Sequence, residues 1–145
     1  PRELGERTRR ALGLLADSGI PVMSQTVLLR GVNDDPAVLG ELFRGLVRCR
    51  VRPYYLLQAD PVRGTGHLRT PVATGIALMA ALQGRLSGIA LPRLMLDAPG
   101  GKGKAPVGPQ YIVRYQPAGP SGPARTYLRT FRGEPAEYID PPEDR

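Results

Sequence analysis

Cysteine is almost missing from this chain: Cys49 is the only one in 145 residues. One thiol supports neither a disulfide framework nor an all-cysteine metal site within the chain. Lysine is almost missing too. Lys102 and Lys104 are the only lysines among the 20 Lys and Arg residues, and His67 is the only histidine. No apolar run approaches the roughly 20 residues needed to span a bilayer. Pro1-Arg-Glu-Leu4 reads as a polar lead-in to a helix, not as a basic and then apolar leader. A cytoplasmic protein is therefore expected. No unit of about 20–50 residues repeats, which excludes a solenoid.

What the chain does have is enough apolar material for one core. Hydrophobic residues make up 41% of it, more than a disordered chain carries. The formal net charge is +7, which permits a basic nucleic-acid-binding module. The arginines are spread along the whole chain, however, and no recognition helix or aromatic platform accompanies them.

Apolar spacing predicts helices over residues 6–18 and 36–48, and from 70 to 86 with Ile76, Met79, Leu82 and Leu86 facing inward. Asp35 followed by Pro36, and Thr70 followed by Pro71, are helix-start signals. Strands are expected at 20–29, 51–57 and 94–96. The resulting order α, β, α, β, α, β calls for parallel strands joined by right-handed crossovers. Chemistry in such folds sits beyond the carboxyl ends of the strands. The loops at 30–35, 58–69 and 97–106 follow those ends, which predicts Asp60, His67, Asp97 and Lys104 around one mouth. The tail reads differently. Two short strands are expected at 111–115 and 124–131, then a polar, frayed end over 133–145. The expected division is a βα part over 1–109 and a C-terminal extension over 110–145.

The stretch Asp97-Ala-Pro-Gly-Gly-Lys-Gly-Lys-Ala-Pro106 concentrates the unusual chemistry. Arginine carries no removable proton and forms no imine, whereas lysine does both. Two lysines held in a glycine loop point to imine chemistry or to a phosphate cradle. A P-loop needs Ser or Thr after its lysine to hold magnesium, and Ala105 follows Lys104. A dinucleotide fingerprint must open a helix, which Pro106 and Pro109 oppose. Imine chemistry is the better fit.

Four segments resemble the C-terminal part of the lysine 2,3-aminomutase family: Ser24-Gln-Thr-Val-Leu-Leu-Arg-Gly-Val-Asn-Asp34, Arg50-Val-Arg-Pro-Tyr-Tyr55, Gly66-His-Leu-Arg-Thr-Pro71 and Asp97 to Pro106. The likeness runs from about residue 6 to about residue 138. It implies an α/β fold: the C-terminal portion of an incomplete βα radical S-adenosylmethionine barrel, with a short C-terminal β extension. It also implies an isomerase that moves the amino group of lysine from the α- to the β-carbon. Its cofactors would be pyridoxal phosphate (PLP), S-adenosylmethionine (SAM) and a 4Fe–4S cluster. Residue by residue, the resemblance makes Lys104 the catalytic lysine that forms the PLP imine. It makes Asp60 and Asp97 the acids that receive the substrate's terminal ammonium, and it puts Gln25 near SAM. Arginine or another amino acid is the rival substrate within the family. Lys102 stands where the family usually has glycine.

The family's cluster motif, Cys-x₃-Cys-x₂-Cys, does not occur here. The expectation is that upstream sequence of the same enzyme supplies it, and that this chain alone is inactive. Some relatives hold a structural metal through cysteines in the loop after the first strand and at the chain end. Asp35 occupies that loop here and Pro141 to Arg145 holds no cysteine, so no metal ligands are expected. A small amino-acid substrate and a homo-oligomeric assembly are expected, with no membrane partner.

Overall fold

In the computed structural model, residues 3–120 and 122–141 are described. The chain divides into two compact units, Pro1–Gly108 and Pro109–Arg145.

The first unit is built around a helix whose start is written into the sequence. Helix α2 (Pro36–Arg48) begins after Asp35, whose carboxylate accepts from the amides of Ala37 at 2.8 Å and Val38 at 3.1 Å. Pro36 at the first helical position loses no hydrogen bond there. The buried residues Leu39, Leu42, Phe43 and Leu46 then recur three and four apart and lay one apolar stripe on the sheet. Strands β1 (Val22–Leu28), β2 (Val51–Gln58) and β3 (Arg93–Asp97) are parallel and lie in the order β1-β2-β3. Helix α3 (Val72–Leu82) makes the second crossover and packs beside α2 and on β3. Both crossovers put their helix on the same face, as right-handed connections between consecutive neighbouring strands require. The core lies between, with Leu28, Leu39, Phe43, Leu56 and Leu94 almost wholly enclosed.

Three sequence expectations need correcting in this unit. The inward stripe of α3 is Gly75, Leu78, Met79 and Leu82, whereas Ile76 is exposed. The helix turns its glycine inward because it lies close to the sheet: a Cβ on Gly75 would come within 3.0 Å of a Leu94 methyl. The helix also ends at Leu82 rather than Leu86, at a turn where Gly84 has φ 73°. Finally, residues 104–106 are not loop. They form β4 (Lys104–Pro106), antiparallel to β3, so the sheet is mixed and ordered β1-β2-β3-β4. The α/β class stands, with parallel and antiparallel pairing together.

Helix α1 (Glu6–Asp17) buries no residue, and Leu14 and Leu15 stay exposed. It is fastened through Arg50, whose guanidinium reaches Asp17 at 2.6 Å and the Gly13 carbonyl at 3.2 Å.

The second unit is a three-stranded antiparallel sheet, β5 (Ile112–Gln116), β6 (Arg125–Arg129) and β7 (Pro135–Ile139), in that order. Strand β7 corrects the expectation of a frayed end from residue 133. The turn Thr130–Glu134 folds the chain back, closed by the Thr130 amide to the Glu134 carbonyl at 2.8 Å. Arg125 on β6 then pairs with Glu137 on β7 at 2.7 Å. The fray expected over 142–145 lies outside the described residues.

Candidate active site

Strand β2 ends in a buried Gln58, and the chain reaches Asp60 two residues later. Gln58 is anchored through its amide nitrogen, which donates to the carbonyl and hydroxyl oxygens of Thr70 just ahead of α3. Arg69 Nε donates to the Ala59 carbonyl at 3.4 Å. The step from β2 to Asp60 is therefore held from two sides. Gln58 Oε1 has no partner among the described residues, an unusual state for a buried oxygen.

Strand β3 ends in Asp97. Gly100, Gly101 and Gly103 all take positive φ, at 77°, 72° and 85°, a region that glycine enters without Cβ strain. They reverse the chain, and the Ala98 amide closes the hairpin on the Gly103 carbonyl at 2.9 Å. Lys104 then lands directly opposite Asp97 in the antiparallel register. Its Nζ donates to both carboxylate oxygens, at 2.7 and 2.8 Å. The pair is roughly one-third exposed on each side, at 39% and 34%.

Asp60 and Asp97 line one cleft of about 410 Å³ with Pro61, Pro99, Gly101 and Gly103. A neighbouring cleft of about 300 Å³ shares both acids and adds Gln58, Arg69 and Thr70. Lys102 is exposed and forms no ion pair among the described residues.

Three expected residues do not line these clefts. Lys104 joins them only through its bond to Asp97. His67 lies in a short 3₁₀ turn, Gly66–Leu68, and lines neither cavity. That turn instead ties two loops together, the Leu68 carbonyl accepting from the Arg30 amide at 2.8 Å. Gln25 lines a separate cavity of about 830 Å³ with Ser24, Thr26 and Asn33. Ser24 Oγ there is buried without a partner among the described residues.

The sheet register relates Gln25 to the acids. Gln25 pairs with Tyr55 and Tyr55 with Arg93, while Val27 pairs with Leu57 and Leu57 with Met95. Side chains alternate along a strand, so this row pattern continues through Arg93 and Met95 to Asp97. Gln25, Asp97 and Lys104 therefore share the sheet face opposite α2 and α3. On that face Met23 and Val27 are exposed.

Tyr54 is the residue left over where the β1–β2 register slips between Ser24 and Gln25. Its ring stacks on Tyr55 with centroids 3.8 Å apart, and the Tyr55 hydroxyl donates to the Tyr54 hydroxyl oxygen at 2.8 Å. That hydrogen bond, with some desolvation, raises the Tyr55 phenol above its ordinary value. Sequence reading passed over this pair and over Gln58. A polar residue closing the apolar run Leu56-Leu57 was the available signal for Gln58.

Residues 79–144 match the family described as lysine-2,3-aminomutase. The chain is 45% identical over 141 residues to an L-lysine 2,3-aminomutase of Fusobacterium nucleatum, covering 97% of the chain and 32% of that relative. An L-lysine 2,3-aminomutase of Clostridium subterminale gives the same identity and coverage. A glutamate 2,3-aminomutase of Clostridioides difficile is 38% identical over 98% of the chain and 32% of its own length. The chain thus spans about a third of the length of these curated relatives. These matches show a lysine-2,3-aminomutase family domain over residues 79–144 and a likeness of nearly the whole chain to about a third of an L-lysine 2,3-aminomutase.

Proposed function

We propose that this chain is the substrate-binding and lysine-bearing part of a lysine 2,3-aminomutase, an isomerase that moves an amino group from the α- to the β-carbon. One observation carries the reading: Lys104 is bonded to Asp97, and Asp97 lines a cleft together with Asp60. A primary amine there can bond to the aldehyde of pyridoxal phosphate. Two carboxylates there can grip the terminal ammonium of lysine by charge-assisted hydrogen bonds. They also repel a side chain that ends in a carboxylate. A guanidinium suits the same pair, so arginine remains the rival substrate.

Pyridoxal phosphate supplies electron delocalisation next to the migrating nitrogen. The residues present fit its aldehyde end through Lys104. For its phosphate the clefts offer one cationic side chain, Arg69, beside two acids; further cationic groups of the whole protein would complete that end. A 4Fe–4S cluster does not fit the described residues. Cys49 is the only thiol, it is buried, and Arg9 donates to its sulfur at 3.4 Å. No group of three His, Cys, Asp or Glu able to hold a metal occurs among the described residues. In this reading the cluster, and SAM with it, are held by the rest of the protein, with Gln25 reaching toward the adenosyl group. Three parallel strands with helices on one face and exposed apolar residues on the other support a segment of an incomplete βα barrel. Assembly of the whole protein into a homo-oligomer belongs to the same reading.

The test is to load the full-length protein with pyridoxal phosphate, reduce with borohydride and map the modified peptide. Label on Lys104 is expected. Label on Lys102 overturns the assignment.

A further inference from the structure

Lys104 and Asp97 close on each other across the hairpin. The amine that would capture the aldehyde and the acid that would hold the substrate's cation are bonded to each other, through two contacts of 2.7 and 2.8 Å. The hairpin enforces this, since Asp97 and Lys104 are direct register partners and the Ala98–Gly103 hydrogen bond fixes the turn between them. Lys102, two residues away on the same turn, has no such partner among the described residues.

We infer that Asp97 acts as a latch on Lys104: the lysine must leave this carboxylate before it can bond to an aldehyde, and Asp97 is free for a substrate cation only afterwards. The inference rests on the proposed function above and orders its events, with cofactor capture first and cation binding second. The chemistry requires the release. An ammonium whose hydrogens point into a carboxylate has no lone pair to offer. Once released, it gives one proton to solvent and its lone pair bonds to the aldehyde carbon. The carbon–oxygen bond then breaks, and the oxygen leaves as water with the two remaining amine hydrogens. A carbon–nitrogen double bond is left, and no oxidant or reductant is consumed. The released Asp97 carboxylate faces the same cleft as Asp60, so a second cation finds both acids open. Asp97 is thus a positioning residue for Lys104 before it is a ligand for substrate.

The experiment measures a labelling rate, not turnover. The cofactor-free full-length protein is incubated with pyridoxal, which lacks the phosphate, and with cyanoborohydride, and the lysine peptides are quantified over time. Asp97→Asn should speed labelling of Lys104 by roughly two- to fivefold, the range over which a partly exposed ion pair acts. Lys102 serves as the internal reference and should not change. A second arm needs no variant: added salt should speed Lys104 labelling in the unaltered protein, because screening weakens the pair, and should do little in Asp97→Asn. Equal Lys104 rates in both proteins, with no salt effect, overturn the latch and leave Lys104 as the reactive lysine. Label confined to Lys102 in both proteins overturns the proposed function, and the latch with it.

Discussion

A carboxylate that accepts a hydrogen bond from a cation contributes roughly 1.5–3 kcal/mol. At about 1.36 kcal/mol per factor of ten, Asp60→Asn or Asp97→Asn in the full-length enzyme should each cost on the order of ten- to a hundredfold in kcat/KM for lysine. If both acids hold one ammonium, as proposed, the double variant should lose less than the product of the two. Steady-state kinetics of the three variants check this. Full multiplicativity would mean that the acids act on different groups. Much of this was legible in sequence. The scarcity of lysine singled out the loop that holds Lys102 and Lys104, the resemblance chose Lys104, and the strand ends predicted Asp60 and Asp97 around the same mouth. The direct Lys104–Asp97 pair was not legible, because it depends on strand register across a glycine turn that periodicity cannot see. Gln25 was singled out only through resemblance, and it lines another cavity.

The elements divide by how local their causes are. Helix α2 and strands β1 to β3 follow from caps and apolar spacing. Strands β4 and β7 do not, since three residues or a polar segment carry no period, and only pairing with a neighbour defines them. The hairpin before β4 depends on backbone conformation. Gly101 has φ 72° and open space around its missing Cβ, so Gly101→Ala introduces strain without a clash. The left-handed region costs an L-residue roughly 1–2 kcal/mol. Hydrogen exchange at the Ala98 amide should therefore quicken about five- to thirtyfold in Gly101→Ala by the usual exponential relation between free energy and population. Gly108→Ala, with space and no positive φ, should leave that amide unchanged. Equal effects would show that turn geometry is not what holds Lys104.

The fastening of α1 predicts a pH effect. The Arg50 guanidinium, first by hydrogen bond and then by charge, lowers the Asp17 carboxyl below its ordinary value. A lowered folded-state value stabilises fully above the ordinary carboxylate range near pH 4, and that stabilisation is lost as pH falls through the lowered value. Denaturant unfolding at pH 6 and pH 3 should show a larger drop in the unaltered protein than in Arg50→Gln. Equal drops would mean that the ion pair contributes nothing.

At the scale of the molecule, the chain provides an amine and two acids but one thiol. Reconstituting these 145 residues with iron and sulfide should yield no deoxyadenosine from SAM, because a 4Fe–4S cluster needs several thiolate ligands. Iron content and product chromatography check it. The family was legible from four short segments, whereas the substrate was not. Relatives named for lysine and for glutamate match the chain at 45% and 38% identity, so overall identity cannot choose between them. The proposed role of Asp60 and Asp97 does choose: two acids lining one cleft would favour a cationic side chain over an anionic one. The deciding measurement is kcat/KM of the full-length, cofactor-loaded protein on lysine, arginine and glutamate. Lysine or arginine should lead, with glutamate lower by at least about a hundredfold, the separation that two lost charge-assisted bonds would produce. Glutamate as the best substrate would contradict the role given to the two acids.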